Sequence, residues 1–252
     1  MNSVFLEECV LIIGATSPLA QELAKLHIES GHNITLTSSS QKGEALMVAR
    51  DLQIRFLCNI RLLPLDLMSE ESINNFVTTI KKENLYFKRI YFVSGYVANS
   101  YLFGEVVLEI NKTIQINFSG PAVLLSSLFS CGHLAKTTLV VVSSVAGDRG
   151  RDSNFPYGAA KCALNVFCDG LRLRLWNEGS SVTIVKLGFM ESRMSVGRSV
   201  PLLTASAKYC ATKIRSAADK EKSVVYVPLF WTLVMIVIRS IPTRLRRILK
   251  LW

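Results

Sequence analysis

Residues 138–161 read TLVVVSSVAGDRGRDSNFPYGAAK, an apolar run that ends in two serines and leads through a loop into a helix candidate. The apolar run predicts a buried strand with Ser144 at its carboxyl end. Tyr157 and Lys161 are four residues apart, so on a helix they share one face. The stretch therefore predicts a strand, a loop and a helix that bring a hydroxyl, a phenol and an ammonium group onto one carbonyl.

Strand and helix candidates alternate along the rest of the chain. We predict strands at 9–13, 33–37, 61–65, 90–93, 138–142, 182–186 and 224–227, and helices at 18–30, 42–57, 70–83, 113–131, 156–178 and 205–219. The strands are apolar on both faces, which is typical of a parallel sheet covered by helices. The pattern predicts an α/β fold, a Rossmann-type doubly wound sheet of about seven strands over residues 1–228, with ligands at the carboxyl ends of the strands.

Composition argues against several other classes of protein. Half of the 252 residues are apolar, and the six cysteines include no Cys-x-x-Cys pair, so we expect reduced thiols in a cytoplasmic protein. Glu7 and Glu8 precede the first apolar run, which is not the pattern of an export signal. The three histidines lack metal-ligand spacing, so we expect no metal site. The net charge of +10 is concentrated at the end of the chain, so we expect no nucleic-acid partner.

The first strand candidate runs into a turn that starts at Gly14 and leads into a helix. A dinucleotide pyrophosphate binds at such a turn, on the helix N-terminus. Gly14, Thr16, Ser17 and Leu19 are therefore candidate cofactor contacts, although only the first of the usual three glycines is present. An ordinary strand-to-helix turn would show the same pattern.

The second strand should end beside the adenosine ribose of the cofactor, where the chain has Ser38 and Ser39 with Lys42 nearby. No Asp or Glu follows the strand to bind a ribose 2′-hydroxyl, whereas serines and a lysine can hold a 2′-phosphate. The sequence therefore favours NADP(H) over NAD(H). Asp66, followed by Leu67, closes the third strand and is either an adenine contact or an acid at a helix N-terminus.

Together these features resemble the short-chain dehydrogenase/reductase family over about residues 8–228. The matching residues, in the family's order and spacing, are Gly14, Asp66, Ser94-Gly95, Asn117, Ser144, Tyr157, Lys161 and Lys186-Leu187-Gly188. The resemblance implies that the catalytic residues are Asn117, Ser144, Tyr157 and Lys161. It further implies cofactor contacts at Ser94, Gly95, Tyr157, Lys161 and Gly188, and it leaves a homodimer or tetramer open.

Two positions depart from the family's pattern. Ser94-Gly95-Tyr96 replaces Asn-Ala-Gly, which loosens the expected link to the central sheet. Leu187 stands where proline is usual before Gly188, which leaves the geometry of the nicotinamide-side loop open.

The resemblance implies a proton-transfer mechanism for carbonyl reduction, in which a nicotinamide supplies hydride and the protein supplies a proton. Tyr157 is the proton donor, and the charge of Lys161, with that of oxidised nicotinamide, should lower the phenol pKa. Ser144 orients the substrate oxygen, and Lys161 also holds the nicotinamide ribose. Asn117 either bends its helix and anchors a proton-relay water or is a plain polar helix residue.

A narrower resemblance, carried by residues 143–161, 170–172 and 225–231, is to the decaprenylphosphoryl-2-keto-ribose reductase branch. Members of that branch reduce the 2-keto group of a polyprenyl-phosphate pentose for cell-envelope glycans. This implies a lipid-linked sugar substrate and a partner oxidase that makes it. A reductase of a soluble carbonyl compound and a non-catalytic nucleotide-binding scaffold are the alternatives.

The last 24 residues, 229–252, are apolar and basic. They contain Arg239, Arg244, Arg246, Arg247 and Lys250 and no acid. Residues 229–238 are too few to cross a bilayer, which needs about twenty. Apolar residues with tryptophan and arginine favour a helix lying on the inner face of the cytoplasmic membrane. The alternative is a helix packed on the domain or in a dimer interface.

The loop at 189–203 is a candidate substrate lid. Its Arg193 and Arg198 either meet a substrate phosphate or are solvated loop charges.

Overall fold

The fold is described from a computed structural model that covers residues 9–40, 43–98, 106–191 and 203–245. Its strands are β1 (Cys9–Ile13), β2 (Asn33–Ser38), β3 (Ile60–Pro64), β4 (Arg89–Phe92), β5 (Thr138–Ser144), β6 (Ser181–Leu187), β7 (Phe189–Met190), β8 (Thr204–Ala205) and β9 (Val224–Val227). Its α-helices are α1 (Pro18–Ile28), α2 (Glu44–Phe56), α3 (Glu70–Lys82), α4 (Val106–Ile114), α5 (Gly120–Ser130), α6 (Phe155–Leu175), α7 (Ala207–Asp219) and α8 (Trp231–Ser240).

Seven of these strands form one parallel sheet in the order β3-β2-β1-β4-β5-β6-β9. Alternate side chains of each strand enter two separate cores. Val10 and Ile12 pack with α1, α2 and α7 on one face, whereas Leu11 and Ile13 pack with α3, α5 and α6 on the other. The predicted doubly wound sheet of about seven strands is therefore confirmed.

The direction of strand addition reverses between β1 and β4. In an open α/β sheet the ligand crevice forms at such a reversal, outside the carboxyl ends of the strands. The turn at Gly14 follows β1, and the Ser94 loop follows β4, so two predicted cofactor segments meet at this crevice.

The helix predicted at 113–131 differs from the observed structure. It comprises α4, a π-helical turn at Gln115–Ser119 and α5, and so it extends back to Val106. A π turn accommodates one extra residue and widens the helix locally. Apolar periodicity carries no information about such a turn, because it reports which side chains are apolar and not how the backbone hydrogen bonds are paired.

The C-terminal helix α8 has two different faces. Trp231 and Met235 are fully buried against the domain, whereas Leu233, Ile236 and Val237 are 70%, 57% and 60% exposed. The predicted tail at 229–252 thus begins with a helix that packs on the domain through one face and leaves an apolar face uncovered. Among the helices of the described residues, none combines the length and the apolar composition that crossing a bilayer requires.

A buried histidine lies at the opposite end of the sheet from the crevice. His27 is 0% exposed, with Nε2 2.9 Å from the Tyr91 hydroxyl and Nδ1 2.9 Å from His32 Nδ1. Burial, followed by the charge of Arg215, lowers the pKa of His27 to about 3. Folded protein therefore keeps His27 neutral at pH values where the unfolded chain, with a pKa of 6.5, takes up a proton.

We expect acid to destabilise the protein through this residue. Because the folded-state pKa lies below the unfolded one, His27 should cost about 2 kcal/mol of unfolding free energy between about pH 7.5 and pH 5. Urea unfolding of wild type and His27→Gln at several pH values measures this. The variant should show a shallower pH dependence below pH 6.5, and parallel curves would contradict the assignment.

Candidate active site

A cavity of about 340 Å³ occupies the crevice at the carboxyl ends of β1 to β4. The predicted cofactor contacts that line it are Gly14, Thr16, Ser17, Ser38, Ser39, Asp66, Leu67, Ser94 and Gly95. Segments that are distant in sequence thus form the walls of one site, as the predicted topology requires. The side chain of Leu19 does not line the cavity, because it is buried in the core beneath the turn.

The turn after β1 needs its single glycine for two reasons. Gly14 has a φ of +106°, and a Cβ at this position would lie 2.8 Å from the Ser94 hydroxyl oxygen. The backbone N–H groups of Gly14 and Ala15 both donate to the carbonyl of Thr37, at 3.3 and 2.9 Å. Pro18 begins α1, where its missing N–H has no partner to lose. The turn therefore keeps its shape with one glycine in place of three.

The ribose end of the cavity contains an acid that the sequence analysis missed. Glu44, the first residue of α2, lines the cavity together with Ser38 and Ser39. It was missed because it lies several residues beyond the end of β2 and reaches the cavity only through the turn before α2. Lys42, the predicted phosphate contact, lies outside the described residues.

Asp66 lies at the cavity edge, in the turn before α3. It lines the cavity, and its Oδ1 accepts a hydrogen bond from the backbone N–H of Met68 at 2.9 Å. Ser69, and not Asp66, caps α3 by accepting from the N–H of Ser72. Asp66 therefore stabilises the turn at the cavity edge while its other carboxylate oxygen remains available.

Asn117 lies in the π turn and is fully buried. Its Nδ2 donates to the carbonyls of Tyr96 and Thr113 at 2.7 and 2.8 Å, and its Oδ1 accepts from the N–H of Tyr96 at 3.1 Å. The side chain thus fixes the loop after β4, so this loop stays linked to the fold although Ser94-Gly95-Tyr96 replaces the usual residues. The predicted bend in the helix is present as the π turn. The side-chain amide of Asn117 is hydrogen-bonded to the backbone of Tyr96 in the loop.

Ser144, Tyr157 and Lys161 come together where β5 ends. Ser144 lies close enough to the Tyr157 hydroxyl to oppose the rise in its pKa, and its Oγ accepts from the N–H of Ala146 at 3.1 Å. Lys161 is buried, donates to the carbonyl of Val142 at 3.1 Å, and has its Nζ 5.8 Å from the centre of the Tyr157 ring. The predicted hydroxyl, phenol and amine therefore form one cluster.

Burial controls ionisation in this cluster. It raises the pKa of Tyr157 to about 12, against the opposing effects of the Ser144 hydrogen bond and the charge of Arg151. Burial also lowers the pKa of Lys161 to about 8. The expected lowering of the phenol pKa by Lys161 is therefore absent from the protein's own groups. A neutral phenol at neutral pH is the form that donates a proton in a reduction.

Gly188, Tyr157 and Lys161 are not among the residues that line the 340 Å³ cavity. Gly188 follows β6, and its N–H donates to the carbonyl of Val227 at 2.8 Å. Met190, which the sequence analysis did not single out, lines the cavity on this side. Arg193 and Arg198 of the predicted lid lie outside the described residues. Across those that are described, no group of three or more His, Cys, Asp or Glu side chains could hold a metal ion.

A family model described as "short chain dehydrogenase" matches residues 8–200. The chain belongs to this family. The expectation of an NAD(P)-dependent oxidoreductase is thereby confirmed at the level of the family.

Two uncharacterised oxidoreductases of Mycobacterium tuberculosis are 36% identical over 107 residues, which is 42% of this chain and 42% of theirs. The match therefore spans less than half the length of these relatives. Hydroxysteroid 11-beta-dehydrogenase 1-like protein B of Xenopus laevis is 24% identical and covers 88% of this chain and 78% of its own length.

Solved structures show the same fold. ElxO with NADP bound has a TM-score of 0.74 at 19% identity and covers 88% of this chain and 97% of its own. A short-chain dehydrogenase from Sphingobium yanoikuyae in complex with NADPH has a TM-score of 0.77 at 18% identity, with 94% and 97% covered.

We expect Tyr157→Phe to lower NAD(P)H-dependent carbonyl reduction by at least about 100-fold, because the variant lacks the proton donor. Cofactor affinity should stay within about twofold of wild type, because the ring is retained and only one hydroxyl is lost. Tyr209→Phe, on the surface of α7, is the matched control and should reduce substrate normally. Near-wild-type turnover by Tyr157→Phe would show that another group supplies the proton.

Proposed function

We propose that this protein is an NAD(P)H-dependent reductase that converts a keto group to an alcohol. The observation that carries the proposal is the meeting of Ser144, Tyr157 and Lys161 at the end of β5. A reduced nicotinamide supplies hydride to the carbonyl carbon. Ser144 binds the carbonyl oxygen, and Tyr157 gives it a proton. Lys161 would hold ribose hydroxyls, and the positive charge of the oxidised cofactor would favour phenolate.

Burial of the phenol supports the reductive direction. With its pKa raised to about 12, Tyr157 holds its proton at neutral pH and can release it only to a stronger base, such as the alkoxide formed by hydride transfer. A non-catalytic scaffold is disfavoured, because a decayed site would not need to keep Ser144, Tyr157 and Lys161 together where β5 ends.

We further propose NADP(H) as the cofactor in preference to NAD(H). Ser38 and Ser39 line the ribose end and can donate hydroxyl hydrogen bonds to a 2′-phosphate. Proteins of the same fold are described with NADP or NADPH bound. Glu44 in the same wall opposes this preference, since its carboxylate would repel a phosphate and could accept a hydrogen bond from a 2′-hydroxyl.

The proposed substrate is a polyprenyl-phosphate-linked keto-sugar made by a partner oxidase in cell-envelope polysaccharide synthesis. Three sequence stretches carry the resemblance to that branch, and two of them, 143–161 and 225–231, pack together beside Ser144. Val145 from the first contacts Trp231 from the second, and Asp148 accepts a hydrogen bond from Tyr226 at 2.6 Å. This packing supports a shared substrate wall.

Turnover assays with purified enzyme test this function. NADPH oxidation is followed with a polyprenyl-phosphate 2-keto-pentose, with and without the oxidase that generates it, and with soluble ketones, including a steroid ketone. We expect the lipid-linked sugar to be reduced fastest, and NADPH to be used more rapidly than NADH. Faster reduction of a soluble ketone would favour the alternative substrate class, and failure to bind either cofactor would favour a scaffold.

We also propose that the outer face of α8 binds the inner surface of the cytoplasmic membrane. Leu229, Phe230, Leu233, Ile236 and Val237 are exposed along this helix and the turn before it. Residues 229–252 carry five basic and no acidic side chains, which suits anionic lipid. A lipid-linked substrate gives such an arrangement a purpose, because the substrate's tail remains in the bilayer.

Vesicle sedimentation tests the membrane proposal. Wild type should bind vesicles of phosphatidylcholine and phosphatidylglycerol at about 3:1, and binding should weaken with salt, because part of it is electrostatic. A triple variant with Leu233, Ile236 and Val237 changed to serine should lose most of this binding. Ile54→Ser on α2, which is 75% exposed, is the control.

Deleting residues 229–252 is a poorer test, because it also removes the buried Trp231. Equal sedimentation of the wild type and the triple variant, or no binding by wild type, would refute the membrane role.

Self-association through α4 and α6 is a further part of the proposal. These helices lie side by side, and their exposed apolar side chains include Val107, Leu108, Val166 and Leu173, each about 70% exposed or more. A second copy of the chain would cover them, giving a homodimer or tetramer.

A further inference from the structure

Trp231 is the largest fully buried side chain of the described residues and the first residue of α8. Its indole lies directly against Gly188. A Cβ added at Gly188 would be 2.0 Å from the indole Nε1 and 2.4 Å from Cδ1. Only glycine at position 188 therefore allows this contact. Any larger residue there would displace the indole of Trp231.

The same indole also contacts the loop that carries the catalytic serine. Trp231, Met235 and Val145 form one buried cluster, and Val145 directly follows Ser144. On the other side, the Trp231 ring packs edge-to-face on Phe189, with ring centres 5.7 Å apart. One side chain thus lies between the loop after β5 and the loop after β6.

A polar network ties the same segments together. The Asp148 carboxylate, only 4% exposed, accepts from Lys186 of β6 at 2.5 Å and from Tyr226 of β9 at 2.6 Å. Arg149 donates to the carbonyl of Ile241, directly after α8, at 3.4 Å. Helix α8 is therefore held near both of its ends, and Trp231 cannot shift without disturbing the Ser144 loop.

We propose that Trp231 is a positioning residue for the nicotinamide half of the cofactor, holding the Gly188 turn at a fixed spacing from Ser144. The proposal rests on the nicotinamide cofactor of the proposed function. Proline before this glycine would restrict the backbone by its fixed φ, but the chain has Leu187 there. Packing of a buried indole supplies the restraint that the missing ring would otherwise give.

Two pairs of ligands separate positioning from general stability. NADPH is compared with 2′-phospho-ADP-ribose, which lacks the nicotinamide ring, and NADH is compared with ADP-ribose, by isothermal titration calorimetry. In Trp231→Leu the affinity for NADPH and NADH should fall about tenfold, while affinity for each truncated ligand stays within about twofold. Damage to the whole fold would weaken both members of a pair alike.

Matched variants complete the design. Trp176→Leu is the control, because Trp176 is 76% exposed and distant in the fold from the cavity lining. Trp231→Phe keeps a ring and should give a smaller selective loss, and it replaces Trp231→Leu if that variant does not fold. Gly188→Ala should show the same selective loss, since its Cβ collides with the indole. In the double variant Gly188→Ala/Trp231→Leu the losses should be less than additive, because the smaller residue leaves room.

Each result of these binding experiments supports or refutes the positioning role of Trp231. Selective loss of the complete cofactors supports the positioning role, whereas equal loss for both members of a pair reduces Trp231 to a structural residue. If wild type binds the complete cofactors and the Trp231 variants bind them equally well, the positioning role alone is refuted. If wild type binds none of the four ligands, the proposed function fails, and the positioning role fails with it.

Discussion

The close approach of α6 to the loop after β5 is the contact on which the candidate site depends. A Cβ at Gly158 would lie 2.8 Å from the carbonyl oxygen of Ala146, and one at Gly147 would lie 3.0 Å from the N–H nitrogen of Cys162. The backbones of α6 and of the loop are in contact at these two glycines, so a larger residue at either position would push the helix away from the sheet. Because Ser144 ends β5 and Tyr157 belongs to α6, their side chains come together only at this separation.

The same contact determines the electrostatics of the site. It buries Lys161 against the carbonyl of Val142 and leaves Tyr157 half-buried. The pKa of each group shifts toward its neutral form, to about 12 for Tyr157 and about 8 for Lys161, so the lysine is still mostly charged at pH 7. The protein alone therefore prepares a proton donor. In the proposed reaction, the change toward phenolate follows from the positive charge of the oxidised cofactor, which links the ionisation of Tyr157 to the redox state of the nicotinamide.

Much of this arrangement could be predicted from sequence, because it is local. Apolar runs of four to seven residues identify the strands, and a spacing of four places Tyr157 and Lys161 on one helical face. The parts that escaped prediction depend on packing between distant segments. Glu44 reaches the cavity through a turn, and the amide of Asn117 in the π turn is bonded to the loop after β4.

The position of α8 is the clearest example of a feature that the sequence alone does not predict. Its sequence is apolar on all sides, which favours a membrane-surface helix and leaves a helix packed on the domain as the alternative. Contact with Gly188 and Val145 decides which face is buried, and no periodicity in residues 229–238 carries that information. One face of α8 packs on the domain and the other is exposed, and binding of the exposed face to a membrane stays a prediction.

Transfer of deuteride from the cofactor to the substrate tests most directly whether the protein reduces a keto group with Tyr157 as the proton donor. Wild-type enzyme is incubated with NADPH carrying deuterium at C4 of the nicotinamide and with a polyprenyl-phosphate 2-keto-pentose, and the sugar product is analysed by mass spectrometry. We expect one deuterium on the new carbinol carbon, and at least about 100-fold slower formation of labelled product when Tyr157→Phe replaces wild type. A product without deuterium, or equally fast labelling by the variant, would contradict this expectation.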